Sequence, residues 1–136
     1  MKIYLAGGWF NPEQEEEHNR IYKLLKKNKK NKVFNPKINN LQNFDLTFLS
    51  NIVNIADCDV MVAITDFKDM GTLWETGFAY AMKKPIIYYA EKIGGKFNLM
   101  LAKTGYIAKN ENELKEILKN PLQYQVINYM YKGDIE

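Results

Sequence analysis

Val60-Met61-Val62-Ala63-Ile64 is an unbroken apolar run, entered from Asp59 and left through Thr65 and Asp66. Successive side chains of a strand point to opposite faces, so a strand made only of apolar residues needs cover on both. That is the position of a central strand in a parallel sheet with helices on each side. The flanking sequence supplies the rest of such a sheet. Ile3-Tyr4-Leu5-Ala6 reads as a first strand ended by the Gly7-Gly8 turn, and residues 33–36 as a second. Residues 85–89 and 105–108 read as the fourth and fifth.

Helical patterns lie between these runs. After Pro12, residues 13–27 carry Ile21, Leu24 and Leu25 at helical spacing, with Glu15-Glu16-Glu17 early and lysines late, a charge order that suits the helix dipole. Phe48, Leu49, Ile52, Val53 and Ile55 mark a second helix from Phe44 to about Asp57. Residues 72–83 predict a third, and Asn110 with Glu113 gives a capping signal for a last helix through Leu118. Strands alternating with helices imply an α/β fold with a five-stranded parallel sheet between helical layers.

The 136 residues suit a single domain, 1–136. No apolar run approaches the roughly 20 residues of a membrane span, and the opening stretch is too short for a signal peptide, so a cytoplasmic protein is expected, with no membrane partner. One Cys and one His exclude an intrachain disulfide and give no clustered zinc ligands, so neither a metal nor another cofactor is expected. The net charge of +3 comes largely from the lysines of residues 26–32. That run reads as a solvated helix end, and no aromatic platform accompanies it, so nucleic acid is not the expected partner.

Ligands of open α/β sheets gather beyond the carboxyl ends of the strands, which directs attention to the loops after the first and third strands. The first holds Gly7, Gly8, Trp9 and Phe10: two glycines that permit close approach, and two aromatics that either stack on a planar base or cover the core. The second runs from Asp66 through Asp69 and Gly71 to Glu75 and Gly77. Glu75 in the first turn of a helix is favoured as an anion. Two readings of it stand side by side. Thr72-Leu73-Trp74-Glu75 fits a capping box, in which the carboxylate bonds back to the Thr72 amide. A carboxylate there can also attack an anomeric carbon while a second group, Asp69 or Asp66, assists the departing base.

Four segments in order resemble the nucleoside 2-deoxyribosyltransferases: residues 3–10 (IYLAGGWF), residues 69–79 (DMGTLWETGFA), residues 95–100 (GKFNLM) and the tail 131–136 (YKGDIE). The resemblance implies a flavodoxin-like three-layer fold and transfer of 2-deoxyribose between nucleobases through a covalent deoxyribosyl-enzyme intermediate. Its partners would be deoxynucleosides and free nucleobases. It sets Glu75 on the nucleophile, Tyr4 on the tyrosine that orients it, Asp69 on the aspartate that contacts the nucleoside, and Trp9 and Phe10 on the aromatic wall. Asn98 and Met100 match residues that reach a neighbouring subunit's site, so a homo-oligomer is implied, and the carboxylate at Glu136 matches one that approaches the site. Two positions depart from the family pattern. Asn51 stands where an aspartate usually handles the base, and an amide cannot donate a proton as an acid does. Asn40, with Gln42 as rival, stands nearest the base-binding glutamine. The first loop lacks the Ser or Arg of relatives that act on nucleoside monophosphates, which points to an unphosphorylated substrate. Hydrolysis, with water as acceptor, is the alternative reaction.

Overall fold

The computed structural model describes residues 1–122 and 130–136. Its elements follow in the order β1 (Lys2–Ala6), α1 (Pro12–Lys26), β2 (Lys32–Phe34), α2 (Phe44–Asp57), β3 (Val60–Ile64), α3 (Met70–Ala81), β4 (Ile86–Tyr89), α4 (Leu99–Thr104), β5 (Tyr106–Ala108) and α5 (Glu111–Lys119). The strands form one parallel sheet in the order β2-β1-β3-β4-β5, the flavodoxin-like arrangement. As the apolar run requires, β3 is central and every one of its side chains is buried.

The alternation of side chains divides the interior into two cores. Ile3, Leu5, Val62, Ile87 and Tyr89 face α1 and α5, which contribute Ile21, Leu25, Leu114 and Ile117. Tyr4, Ala6, Met61, Ala63, Ile86 and Tyr88 face the other way, with Ile55 from α2, Ala79 from α3 and Ala102 from α4. Burying one such Leu or Ile contributes about 1.5–3 kcal/mol, so these two layers dominate the stability of the fold. No helix among the described residues is long and apolar enough to cross a membrane.

Several boundaries differ from the sequence reading, each for a local reason. Strand β2 stops at Phe34 because Asn35 turns the chain: its carbonyl accepts the amides of Ile38 and Asn39 at 3.0 and 2.9 Å. Helix α1 begins at Pro12, with the Asn11 side chain accepting the Gln14 amide at 2.9 Å. The Asn110 cap forms on Glu113 as expected, but the Glu113 carboxylate takes the Lys109 amide at 2.7 Å rather than that of Asn110. Glu17, one of the three acids near the start of α1, is 1% exposed. Burial, followed by the neighbouring Asp66 carboxylate, pushes its carboxyl up to about 8, so it is a proton-bearing interior group.

Candidate active site

The strand order reverses between β1 and β3, which opens a crevice at their carboxyl ends. Ala6 and Ala63 pair there, and their small side chains lie on the face covered by α3. Tyr4 is on that same face of β1, fully buried, with its ring stacked on Phe34 at 5.4 Å. Its hydroxyl donates a hydrogen bond to Glu75 Oε2, across 71 residues of chain.

The loop after β3 determines how Glu75 is presented. The Lys68 amide closes a tight turn onto the Thr65 carbonyl at 3.1 Å, and Lys68 itself has φ of 52°, the left-handed region. The next residue, Asp69, becomes the N-cap of α3: its Oδ2 accepts the amide and the hydroxyl of Thr72, each at 2.8 Å. Thr72 is therefore inside the helix and is not its cap. This corrects the boundary drawn from sequence and removes the capping box, because Glu75 lies in the second turn and bonds to Tyr4 instead.

It also corrects the expected electrostatics. Glu75 is not held ionised by the helix N-terminus; burial pushes its carboxyl up to about 7, the Tyr4 hydroxyl pulls it down, and the nearby Asp69 pushes it further up. Burial, then the charge and hydrogen bond of Glu75, push the Tyr4 phenol in turn well above its usual range. Such a carboxyl gains and loses its proton near neutrality, and its ionised form is poorly solvated. Both properties belong to a reactive group more than to a structural one.

Around this pair the first loop closes in. A Cβ on Gly8 would lie 2.9 Å from Gln14 Oε1 and 3.4 Å from Asp69 Oδ1, so the loop after β1 runs directly against the aspartate. A Cβ on Gly71 would be 3.4 Å from Asp69 Oδ2. Trp9 is partly buried, with its ring 5.2 Å from Phe10 and 5.6 Å from His18. Phe10 is 72% exposed and so does not cover the core. The structure thus brings together Tyr4, Glu75, Asp69, Gly7, Gly8, Trp9 and Gly71.

The other candidates, Asn40, Asn51, Asp66, Asn98, Met100 and Glu136, make no hydrogen bond or ring contact with this group among the described residues. Asn40 is exposed and turns its Oδ1 to the Gln42 amide at 2.7 Å; Asn51 is partly buried on α2. Asp66 does not assist Glu75, because its carboxylate accepts the amides of Glu91 and Lys92 at 3.1 and 2.7 Å. Asn98 caps α4 through the amides of Met100 and Leu101. Glu136 pairs by backbone with Phe97 and Leu99, at 3.0 and 2.9 Å. Asn98, Met100 and Glu136 line a separate groove of about 860 Å³ between α3 and α4, together with Gly77, which has nothing within 4 Å of its added Cβ and so opens on this groove and not on Glu75.

Three contributors escaped the sequence reading. Phe34 supports the Tyr4 ring, Gln14 Oε1 accepts the Phe10 amide at 2.9 Å, and His18 packs beneath Trp9. His18 could have been found from its spacing, three residues before Ile21 and seven before Leu25 on the buried stripe of α1.

Among known structures the chain is similar to a 2-deoxyribosyltransferase of the psychrotolerant bacterium Bacillus psychrosaccharolyticus, at 25% identity and a TM-score of 0.74, covering 85% of this chain and 90% of that one. It shares the fold of a 2-deoxyribosyltransferase from Leishmania mexicana (23% identity, TM-score 0.73, 89% and 99% covered). It also shares that of a CMP N-glycosidase from Clostridium botulinum (21% identity, TM-score 0.60, 88% and 100% covered). No curated protein sequence matches it. The sequence profile of the nucleoside 2-deoxyribosyltransferases matches residues 3–117. The chain therefore belongs to the nucleoside 2-deoxyribosyltransferase family and is an enzyme of this kind.

Proposed function

We propose that the protein transfers 2-deoxyribose from one nucleobase to another, with Glu75 as the nucleophile. The observation that carries this reading is the partly buried Glu75 carboxyl held by the Tyr4 hydroxyl at the β1–β3 crevice. In the first half-reaction a Glu75 oxygen attacks the anomeric carbon and the carbon–nitrogen bond breaks. Its electron pair leaves with the base, and the sugar remains as an ester of Glu75. In the second, a nitrogen of the incoming base attacks the same carbon, the carbon–oxygen bond to Glu75 breaks and restores the carboxylate, and the proton this nitrogen gives up passes through solvent to the departed base. The Tyr4 hydroxyl orients the attacking oxygen, Asp69 Oδ1 faces the sugar from the Gly8 side, and Trp9 and Phe10 form the wall on which the base stacks. Asn51 and Asn40 contribute hydrogen bonds to the base, not a proton.

The site is completed in a homo-oligomer, with Asn98, Met100 and the Glu136 end of one subunit reaching the Glu75 of another. In support, Phe48, Leu49, Val53, Met70 and Trp74 of α2 and α3 are 54–85% exposed, a cluster of large apolar side chains of the kind that marks an interaction surface. Hydrolysis is the second reading, with water in place of the incoming base; the fold shared with an N-glycosidase favours keeping it.

The test is to incubate the protein with a deoxynucleoside and a different free base. The exchanged nucleoside should form, and mass spectrometry of the mixture without acceptor should show a deoxyribosyl adduct on Glu75. Free sugar in equal amount with and without acceptor would select hydrolysis, and full activity in Glu75→Ala would remove Glu75 from the chemistry.

A further inference from the structure

We propose that His18 is a positioning residue of this site, joining the loop that carries Trp9 to the loop that carries Asn40 so that the two move as one wall. It rests on the reading of these loops as the base-binding side of the crevice. His18 belongs to α1, yet it is completely buried and touches neither Glu75 nor Tyr4 through any hydrogen bond recorded for it. Its contacts go to the two loops instead.

On one side the imidazole lies edge-on to Trp9, with ring centroids 5.6 Å apart and planes at 71°. Its Nδ1 is 3.0 Å from where a Cβ on Gly7 would stand. On the other side Nε2 is 2.9 Å from Asn35 Oδ1. Asn35, 1% exposed, follows directly on Phe34, the residue stacked on Tyr4. It also organises the loop beyond it. Its side-chain oxygen accepts the Lys37 amide at 3.0 Å, its own amide donates to Asn39 Oδ1 at 3.1 Å, and its carbonyl takes the amides of Ile38 and Asn39.

This network fixes the protonation of the ring. Because the Lys37 amide can only donate, the Asn35 atom facing it must be the oxygen. That same oxygen faces His18 Nε2, so Nε2 is the nitrogen that carries the proton. Nδ1 is then a bare acceptor against Gly7, and it has no hydrogen-bond partner among the described residues. A second ring proton would place an unsatisfied N–H under the Gly7 backbone and push the Trp9 loop outward. Burial, the largest influence, keeps the imidazole easily deprotonated. Its hydrogen bond with Asn35 and the charge of Glu15 oppose that, while the charge of Lys37 reinforces it. Lys37 is itself tied to Glu15 at 2.6 Å and to Asn19 Oδ1 at 3.0 Å. Gly7 and His18 thus fit each other: a side chain at position 7 would press on the ring and on Ile64, and the neutral ring suits the backbone beside it.

The tether predicts a defect in binding and not in bond cleavage, since His18 makes no hydrogen bond or ring contact with Tyr4, Glu75 or Asp69. Replacing His18→Phe keeps a ring beneath Trp9 and removes the bond to Asn35; we expect KM for the donor nucleoside to rise at least about tenfold with kcat within about threefold. His18→Gln, whose amide N–H can reach the Asn35 oxygen, should hold KM within about threefold of the parent. As the chain has one histidine, its ring nitrogens can be followed by two-bond 1H–15N NMR without ambiguity. The full-length protein should show the neutral Nε2–H tautomer, titrating below the ordinary value of 6.5. Asn35→Asp should raise that midpoint by more than about one unit, because the ring then faces a carboxylate.

An Nδ1–H or mixed tautomer, an unmoved midpoint in Asn35→Asp, or a His18→Phe enzyme with unchanged KM would overturn the proposal. So would a fall in kcat at unchanged KM. If no deoxynucleoside is turned over by the parent protein, the functional reading fails, and the tautomer and its response to Asn35→Asp still decide the tether.

Discussion

Replacing Tyr4→Phe removes one hydroxyl and leaves the ring stacked on Phe34, so it isolates the hydrogen bond to Glu75. That bond stabilises the ionised carboxylate, and a hydrogen bond to a charged group is worth about 1.5–3 kcal/mol. At about 1.4 kcal/mol per pKa unit, losing it should raise the carboxyl by about 1–2 units. The parent midpoint near 7 would then move to about 8–9. In the proposed reaction only ionised Glu75 attacks, so the parent is about half active at its midpoint. The variant at that same pH should fall roughly 5- to 50-fold, and at pH 9 it should recover to within about twofold of its own plateau. The assay is the initial rate of base exchange against pH, at substrate concentrations well below KM, in buffers of constant ionic strength. A variant whose ascending limb coincides with that of the parent, only lower, would refute the electrostatic argument and leave Tyr4 a purely orienting role.

Three further outcomes follow from the same geometry. Asp69→Asn keeps a good N-cap on Thr72 and removes the charge that pushes Glu75 up, so thermal stability should hold within about 0.5 kcal/mol while the ascending limb moves to lower pH, opposite to Tyr4→Phe. Glu75→Gln should be inactive yet more stable at pH 8. A carboxyl raised in the folded state lends stability below its unfolded value of 4.5 and loses it as pH climbs through about 7. The amide avoids that loss, worth up to about 3 kcal/mol, and calorimetry at pH 8 against pH 5 should show the gain only at the higher pH. Mixing inactive Glu75→Ala with inactive Asn98→Ala should restore about one quarter of parental activity if sites are shared across a dimer, since half the dimers are mixed and each has one intact site; no recovery after subunit exchange would place Asn98 outside its neighbour's site.

Which parts of this were legible in the sequence follows from the range of the interactions involved. The apolar run of β3 needed only the alternation of a strand to place it at the centre, and the helical stripes of α1 and α5 carried their own spacing. Helix α3 was harder, because Asp69 and Thr72 are both good caps three residues apart. Only the Lys68 turn, a left-handed lysine that no propensity favours, selects Asp69. The Glu17 and His18 positions were readable as buried from periodicity, although the sequence reading takes Glu17 only for its charge at the start of the helix and gives His18 no place. What buries them is the close approach of Gly7 and of Asp66, contacts that no local pattern encodes.

The same distinction separates a capping Glu75 from a reactive one. A capping glutamate answers to a backbone amide three residues away, and its carboxylate stays in water. Glu75 answers to a phenol 71 residues away, and it reaches that phenol only because β1 and β3 are neighbours in the sheet. The association leaves a carboxyl largely out of water, with a neighbouring acid raising its proton affinity further, an arrangement that opposes stability above neutral pH. A residue retained for stability alone would be better served by glutamine, which keeps a hydrogen bond to Tyr4 without the buried charge. An acid at this place is what the proposed nucleophile requires, since only an acid can become the attacking anion.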